Sequence, residues 1–424
     1  MSGRHGTAWL ARSGAPVVVV VPALALVWWA LPESLPMWRS IAIVSAWAGT
    51  GMLASSLVLM LREPRLARRL GGLETSYRWH HRSGVLAYLM LLIHPLALAA
   101  DGWVESPRLA AQVLAPWAHS WPVWLGWAAL ALLMVGLAST FAVRLRYRLW
   151  RGLHLLLGLA VLLGLGHVYA LLGETGPVVA LVAVGSLALG WRLIASDLGV
   201  AALPYRVTAV ANRAAGMIEA SLAPCAAALA VSPGQFVLAA FGDGPRYHGC
   251  GEFHPFTVSG VGADEHLQVA VKALGPCSQR LQALEPGVLV RLQGPFGRFL
   301  GDVAAAPQLW IAGGIGITPF IAALRAGPRA RDTTLIYLHR DAADAAFVDE
   351  LVALATADPR FELVTDASGD RLPDVAALLA RVARLAEREA HLCGPPAMVD
   401  AFTARLRERG VAPRAIHFER FDFR

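Results

Sequence analysis

Six apolar runs, near residues 15–32, 40–61, 83–100, 121–143, 153–172 and 177–195, fill the first part of the chain. Each is about 18–23 residues long, enough to cross a hydrocarbon core of ~30 Å as a helix. A soluble domain has no use for six such runs in succession, so the pattern predicts an all-α membrane bundle. Composition agrees: 56% of the 424 residues are hydrophobic and the mean hydropathy is +0.52. The first run has no convincing small-residue cleavage site and reads as a span, not a removed signal peptide.

The loops set an expected orientation. Loop 62–82 carries six arginines and loop 144–151 carries four, whereas the alternate loops hold Glu33, Asp101, Glu105 and Glu174 and few arginines. The positive-inside rule puts the arginine loops, and with them both termini, in the cytoplasm. Trp28, Trp29, Trp38, Trp121, Trp124 and Trp150 fall near span ends, where aromatic belts sit. Lys272 is the only lysine, so arginine carries nearly all of the positive charge behind the net +7. With its abundant alanine, this usage fits a GC-rich bacterial genome and a multi-pass protein of the bacterial inner (plasma) membrane. Cys225, Cys250, Cys277 and Cys393 all lie in the second half without a CxxC pair, and read as free thiols in a reducing compartment.

After Pro204 the texture changes. YRVTAVA, GMIEASLA, GQFVLAAF, HPFTVSG, HLQVAVKA and VLVRLQGPFG are short β-type runs separated by turns, an antiparallel barrel pattern. From about residue 307 strands alternate with helices, which argues a parallel sheet covered on both faces. The expected domains are a six-span bundle over 1–200, a β-barrel over 201–303 and an α/β nucleotide-binding domain over 304–424.

Histidines inside spans are functional candidates by default. The third run has His94 in its outer half, with His80 and His81 at its cytoplasmic mouth; the fifth has His154 near its start and His167 near its end. From His80 to His94 is a rise of about 21 Å and a rotation within about 40° of whole turns, so both can face one way. His81 aligns less well and stays as the alternative. His154 and His167 do not align on an ideal helix, although Gly158, Gly164 and Gly166 allow a local twist. Two histidines from facing helices at each depth would hold two hemes, one above the other, by bis-imidazole ligation.

In the second half, HPFT puts His254, Pro255, Phe256 and Thr257 where side chains and main chain can meet a flavin ring. In LGPCS, Gly275 and Ser278 open an expected helix whose free N–H groups suit a pyrophosphate. WIAGGIGITPF reads as strand, glycine turn and helix, with Gly313, Gly314 and Gly316 letting the backbone approach a phosphate and Thr318-Pro319 beginning the helix. HLCGPP repeats the logic with Cys393, Gly394 and Pro395. Arg340 ends LIYLHR, where a guanidinium can meet a 2′-phosphate, and Asp341 beside it suits a ribose hydroxyl instead.

Taken together, WHHRSG followed by His94-Pro95, RGLH and GLGH, HPFTVSG, GGIGITPF and CGPP resemble the ferric reductase and NADPH oxidase superfamily over nearly the whole chain. The resemblance implies b-type hemes on His80/His154 and His94/His167, FAD across the barrel and NADPH (or NADH) on the last domain. It also implies a C-terminal aromatic over the flavin, here Phe421 or Phe423. Electrons would pass from cytoplasmic NAD(P)H to an acceptor on the outer face, a ferric complex or O2 giving superoxide. Two features depart from the oxidases: Leu98 stands where they have a further histidine, and the second span lacks an arginine in its membrane portion. Both put superoxide production in doubt. A rival reading is an electron donor docking a periplasmic partner, such as a methionine sulfoxide reductase, through the long loop 101–120; another is a low-turnover redox sensor. No nucleic-acid motif, EF-hand loop or SH3 ligand is present in the sequence.

Overall fold

The computed structural model describes residues 3–31, 34–141, 145, 147–262, 264–301, 306–367, 369, 371 and 373–419. It separates into two compact units, Met1–Val200 and Ala201–Arg424.

The first unit is helical: α1 (Gly3–Ala30), α2 (Met37–Leu59), α3 (Leu73–Glu105), α4 (Trp121–Phe141), α5 (Tyr147–Leu172) and α6 (Gly176–Trp191), the last running on as a π-turn to Asp197. Five of these, α6 counted with its π-turn, are long and apolar enough to cross a membrane, and residues 14–30 of α1 form a shorter apolar stretch. Lipid suits their outward faces: Leu24, Trp28 and Leu187 are more than 60% exposed. The inward faces are built from small residues that let backbones approach. A Cβ at Gly51 would stand 2.9 Å from the Ala23 Cα, and one at Gly49 would stand 2.8 Å from the Leu91 Cγ.

One boundary differs from expectation. α3 starts ten residues earlier than its apolar run, so His80 and His81 lie inside the helix and not at a loop mouth. The polar turn LETSYRW is helical because helix formation needs no apolar residues, only compatible ones, and Glu74 complements the N-terminal dipole. The arginine-rich connection also holds a short helix, Pro64–Arg69, capped by the Glu63 carboxylate accepting from the Leu66 N–H.

In the second unit, β1 (Leu203–Ala214), β2 (Met217–Pro224), β3 (Phe236–Phe241), β4 (His254–Val261), β5 (Leu267–Lys272) and β6 (Leu289–Phe296) close an antiparallel barrel in the order β1-β2-β5-β4-β3-β6. Tyr205, Leu222, Phe241, Val269 and Leu292 fill it. The parallel sheet has five strands in the order β11-β10-β7-β8-β9: β7 (Gln308–Gly313), β8 (Thr333–His339), β9 (Phe361–Ala367), β10 (Glu389–Cys393) and β11 (Ile416–Glu419). Separate apolar clusters cover its two faces, one around Trp310, Phe320 and Tyr337 and the other around Ile311, Leu392 and Phe402. The helices are α7 (Pro276–Arg280), α8 (Thr318–Arg325), α9 (Val348–Ala357), α10 (Val375–Ala380) and α11 (Pro396–Glu408).

Barrel and sheet are tied by one buried charge network. Arg325, ending α8, forms a two-bond fork with the Glu350 carboxylate and also donates to Glu219 on β2 at 2.7 Å, to Gln268 and to the Ser259 carbonyl. Arg213 donates to the same Glu219 at 2.6 Å. Both guanidiniums lie over the ring of Phe347, at 5.2 and 5.3 Å. Phe347 is held at φ +62°, a left-handed conformation that costs a non-glycine residue ~1–3 kcal/mol and needs such surroundings to persist.

Candidate functional site

The histidine pairs come together through the helix packing. The His80 and His154 rings lie 6.2 Å apart, centre to centre, and nearly perpendicular. His81 is exposed, and it is His80 that faces α5. On the His80 ring, Nδ1 lies 2.7 Å from the Ser56 hydroxyl and 3.1 Å from the Ser56 carbonyl. His94 donates from Nδ1 to the Ala42 carbonyl at 2.9 Å, and His167 to the Pro122 carbonyl at 2.8 Å. A carbonyl can only accept, so in both rings Nδ1 carries the proton and Nε2 keeps its lone pair. The fourth histidine, His154, stacks on Trp150 at 5.0 Å, and its buried Nδ1 finds no partner among the described residues.

His94 and His167 line one cavity of about 490 Å³, within the range of cofactor pockets. Gly126 makes room for the second ring: a Cβ there would stand 2.9 Å from the His167 Nδ1. Arg39 and Asp101 also line the cavity, paired at 2.9 Å. α2 begins at Met37 and carries Arg39 in its first turn, with no arginine farther along the helix. Leu98 faces the same space.

These residues fit two hemes. Two imidazoles on one iron, each with a metal–nitrogen bond of about 2 Å, place their ring centres about 6 Å apart, the spacing of His80 and His154. Three of the four rings have the Nδ1 partner that fixes a ligating tautomer.

In the barrel, His254 starts β4, and Thr257 is 5% exposed, with its hydroxyl buried and without a partner among the described residues. Phe256 packs edge-on against Phe241 at 5.8 Å. Ser278 is occupied locally: its hydroxyl accepts from the N–H groups of Leu274 and Gly275, each at 2.9 Å. The expected long helix is a five-residue turn of helix followed by a 3-10 turn. Pro276 at its first position has no N–H to offer, and the two N–H groups that the serine takes belong to the residues just before the helix.

The glycines of the two turns also have close neighbours within the protein. A Cβ at Gly316 would lie 2.1 Å from the Cys393 carbonyl oxygen, and one at Gly313 would lie 2.6 Å from the Met398 sulfur. A Cβ at Gly394 would meet Met398 at 2.6 Å and the Gly313 N at 3.1 Å. These three glycines let the tips of β7 and β10 touch each other. Gly314 alone faces outward, at φ +53°, with the Lys272 Nζ 3.6 Å from its virtual Cβ. Thr318 is buried and donates to the Ile315 carbonyl, so it fastens its own turn. Pro395 is exposed just past the carboxyl end of β10, Pro319 is buried, and Cys393 is fully buried, which raises its thiol pKa well above 9. Arg340 is exposed just past β8. Phe421 and Phe423 lie outside the described residues.

Three features were not visible in the sequence spacing. Lys272, on β5, reaches the glycine turn and pairs with Asp344 at 3.5 Å. Cys250, His254 and Cys277 bring one ligand atom each within 4.8 Å of the others, and burial, then Cys250, pushes the Cys277 thiol up to about 12. Glu389, His391 and His417 form a second such cluster.

Residues 45–165 match the family described as ferric reductase like transmembrane component. Ferredoxin–NADP reductase B of Sorangium cellulosum is 31% identical over 166 residues, covering 35% of this chain and 68% of that protein. The ferredoxin–NAD(P)+ reductase component of the naphthalene 1,2-dioxygenase/salicylate 5-hydroxylase systems of Ralstonia sp is 29% identical over 181 residues, 39% of this chain and 55% of that protein. Among solved structures, the cytochrome P450 reductase GcoB of Amycolatopsis superposes with a TM-score of 0.45 at 25% identity, over 52% of this chain and 69% of that one. A ferric reductase-like membrane component joined to a ferredoxin reductase-type module defines a class of oxidoreductase. Residues 45–165 are similar to the ferric reductase-like transmembrane component, and the second unit belongs with the ferredoxin–NADP reductase-type proteins. The chain spans about half the length of the Ralstonia reductase component.

Proposed function

We propose that the chain is a transmembrane oxidoreductase that takes electrons from cytoplasmic NAD(P)H, through FAD and two b-type hemes, to an acceptor on the outer face. The observation that carries this reading is the pair of histidine sites, His80/His154 and His94/His167, on two helices that also frame a cavity. The hemes would supply one-electron carriers and the flavin the exchange from a two-electron donor to them. The chain itself orients the imidazoles, excludes lipid and water from the cavity, and offers Arg39 to an anionic or polar acceptor near the outer pair. On β4, Thr257 offers its buried hydroxyl to the flavin, and Lys272 with the turn at Gly314 offers a cation to the pyridine nucleotide's phosphates. The domains are a bundle over 1–200, a flavin barrel over 201–303 and a nucleotide domain over 304–424. The arginine-rich loops face the cytoplasm of a bacterial inner membrane. A ferric chelate suits the outer cavity as acceptor, because Leu98 replaces the further histidine of the oxidases.

The test is anaerobic addition of NADPH to the purified chain, followed by ferric citrate, a dye or air in turn. The heme bands are expected to become reduced and then reoxidise with the acceptor. Flavin reduction without heme reduction would overturn the proposal. Heme that reoxidises only with a periplasmic protein would favour the electron-donor reading.

The nicotinamide preference is tested at Arg340. Its guanidinium can pair with a 2′-phosphate by two parallel bonds. Because the side chain is exposed, the loss in Arg340→Ala is expected at about 5–10-fold in KM for NADPH, near ~1 kcal/mol, with KM for NADH nearly unchanged. Equal loss with both donors would make Arg340 structural.

A further inference from the structure

The Glu389, His391 and His417 cluster is not used by the proposed electron path. Glu389 and His391 are two residues apart on β10 and therefore on one face, and His417 stands opposite His391 in the parallel register of β11. Glu389 begins β10, His391 is its middle residue and His417 is the second residue of β11, whereas nucleotides bind beyond the carboxyl ends of the strands. The two imidazoles are 4.7 Å apart between centres, and the His417 Nε2 lies 2.8 Å from a Glu389 carboxylate oxygen. One ligand atom from each residue falls within 4.8 Å of the other two.

The second observation is burial. His391 is 3% exposed, and its Nδ1 is buried with no hydrogen-bond partner among the described residues. A buried imidazole nitrogen left without a partner loses the full hydration of that atom. Phe299 covers the His391 ring edge-on at 5.5 Å, so water does not readily replace the missing partner. The other carboxylate oxygen of Glu389 lies 3.4 Å from the Gln308 Nε2, the kind of outer contact that orients a ligating carboxylate.

We propose that Glu389, His391 and His417 form a binding site for a divalent ion of the zinc class. Two neutral imidazoles and one carboxylate are a recurrent donor set for zinc, with a fourth position left to water. On binding, the ion takes the place of the proton shared by His417 and Glu389, and that proton leaves to solvent. His417, with 37% of its side chain exposed, provides the way in. The ion would fasten β11, an edge strand of only four residues, to β10. It would thereby fix the point from which the chain runs to its C-terminus.

The experiment uses the full chain in detergent. The protein is stripped with a chelator, incubated with zinc sulfate, desalted and analysed for zinc, with heme iron measured separately. About one zinc per chain is expected for the wild type, with affinity reduced at least tenfold in His417→Asn and in His391→Ala. His417→Asn is the principal variant because that residue is the least buried of the three, and retained flavin content reports its folding. Backbone amide exchange over residues 416–419 is expected to slow when zinc is added to the wild type. Zinc uptake unchanged in His417→Asn overturns the proposal, as does zinc lost in Cys277→Ser alone, which would place the ion at the Cys250, His254 and Cys277 cluster. Failure here leaves the electron-transfer reading untouched, because heme reduction by NADPH is read separately.

Discussion

Replacing His94 or His167 by alanine is expected to lower the heme content of the purified chain from about two per chain to about one. Each of these rings has its Nδ1 proton bound to a main-chain carbonyl of another helix, which leaves Nε2 as the ligating atom. Alanine removes that atom and widens a cavity already about 490 Å³. A single remaining imidazole does not hold a b-type heme against detergent extraction as a pair does. Pyridine hemochrome quantification checks the ratio. Retention of both hemes in either variant would remove the outer pair from the assignment, and loss of both would mean the bundle had collapsed. His81→Ala should keep both hemes, because its exposed ring is not the one facing His154.

The second large effect is expected at Arg325. Arg325→Ala leaves Glu219, a carboxylate 2% exposed, facing Ser259 and only one remaining guanidinium, that of Arg213. Breaking a buried pair from one side typically costs ~3–5 kcal/mol. Urea unfolding monitored by tryptophan fluorescence and flavin release should show a loss of that size in the second unit. The double change Arg325→Met with Glu219→Leu should recover much of it, because the charges then left without these partners, Arg213 and Glu350, each keep a third of the side chain exposed. The same contacts set the pH dependence. Burial pushes the Glu219 carboxyl up, but hydrogen bonds from Arg325 and Ser259 outweigh it and hold the group below its ordinary 4.5. The unfolded chain therefore binds the proton more readily. The stabilisation is complete above about pH 4.5 and is lost as pH falls through the lower folded value. A stability profile flat across that acid range would show that Glu219 is not the linked group.

The layout of the fold was legible because it rests on local periodicity. Apolar runs long enough for a bilayer announce the helices, alternating short runs announce the barrel, and strand–helix alternation announces the parallel sheet. The start of α3 was not legible, because LETSYRW carries no apolar signal and is helical only by compatibility with the apolar run that it leads into. The packing role of the glycines was hidden for a related reason. GGIGITPF shows that side chains are excluded, but only the packing around the ends of β7 and β10 shows that Cys393 and Met398 are among the excluding neighbours. Clusters were the least legible. Glu389 and His417 are joined by the register of β10 and β11, and Arg325 meets Glu219 across 106 positions of chain. Spacing along the sequence carries no trace of either.

The acceptors that orient His94 and His167 are the peptide carbonyls of Ala42 and Pro122. Every amino acid supplies a carbonyl, so point substitution at positions 42 and 122 cannot delete these contacts; only a shift of α2 or α4 can. His80 shares this protection in part, through the Ser56 carbonyl. His154 has none among the described residues. Under drift, the outer pair should therefore be inherited almost unchanged, while variation that retunes the redox behaviour of descendants should collect around His154 and its neighbour Trp150.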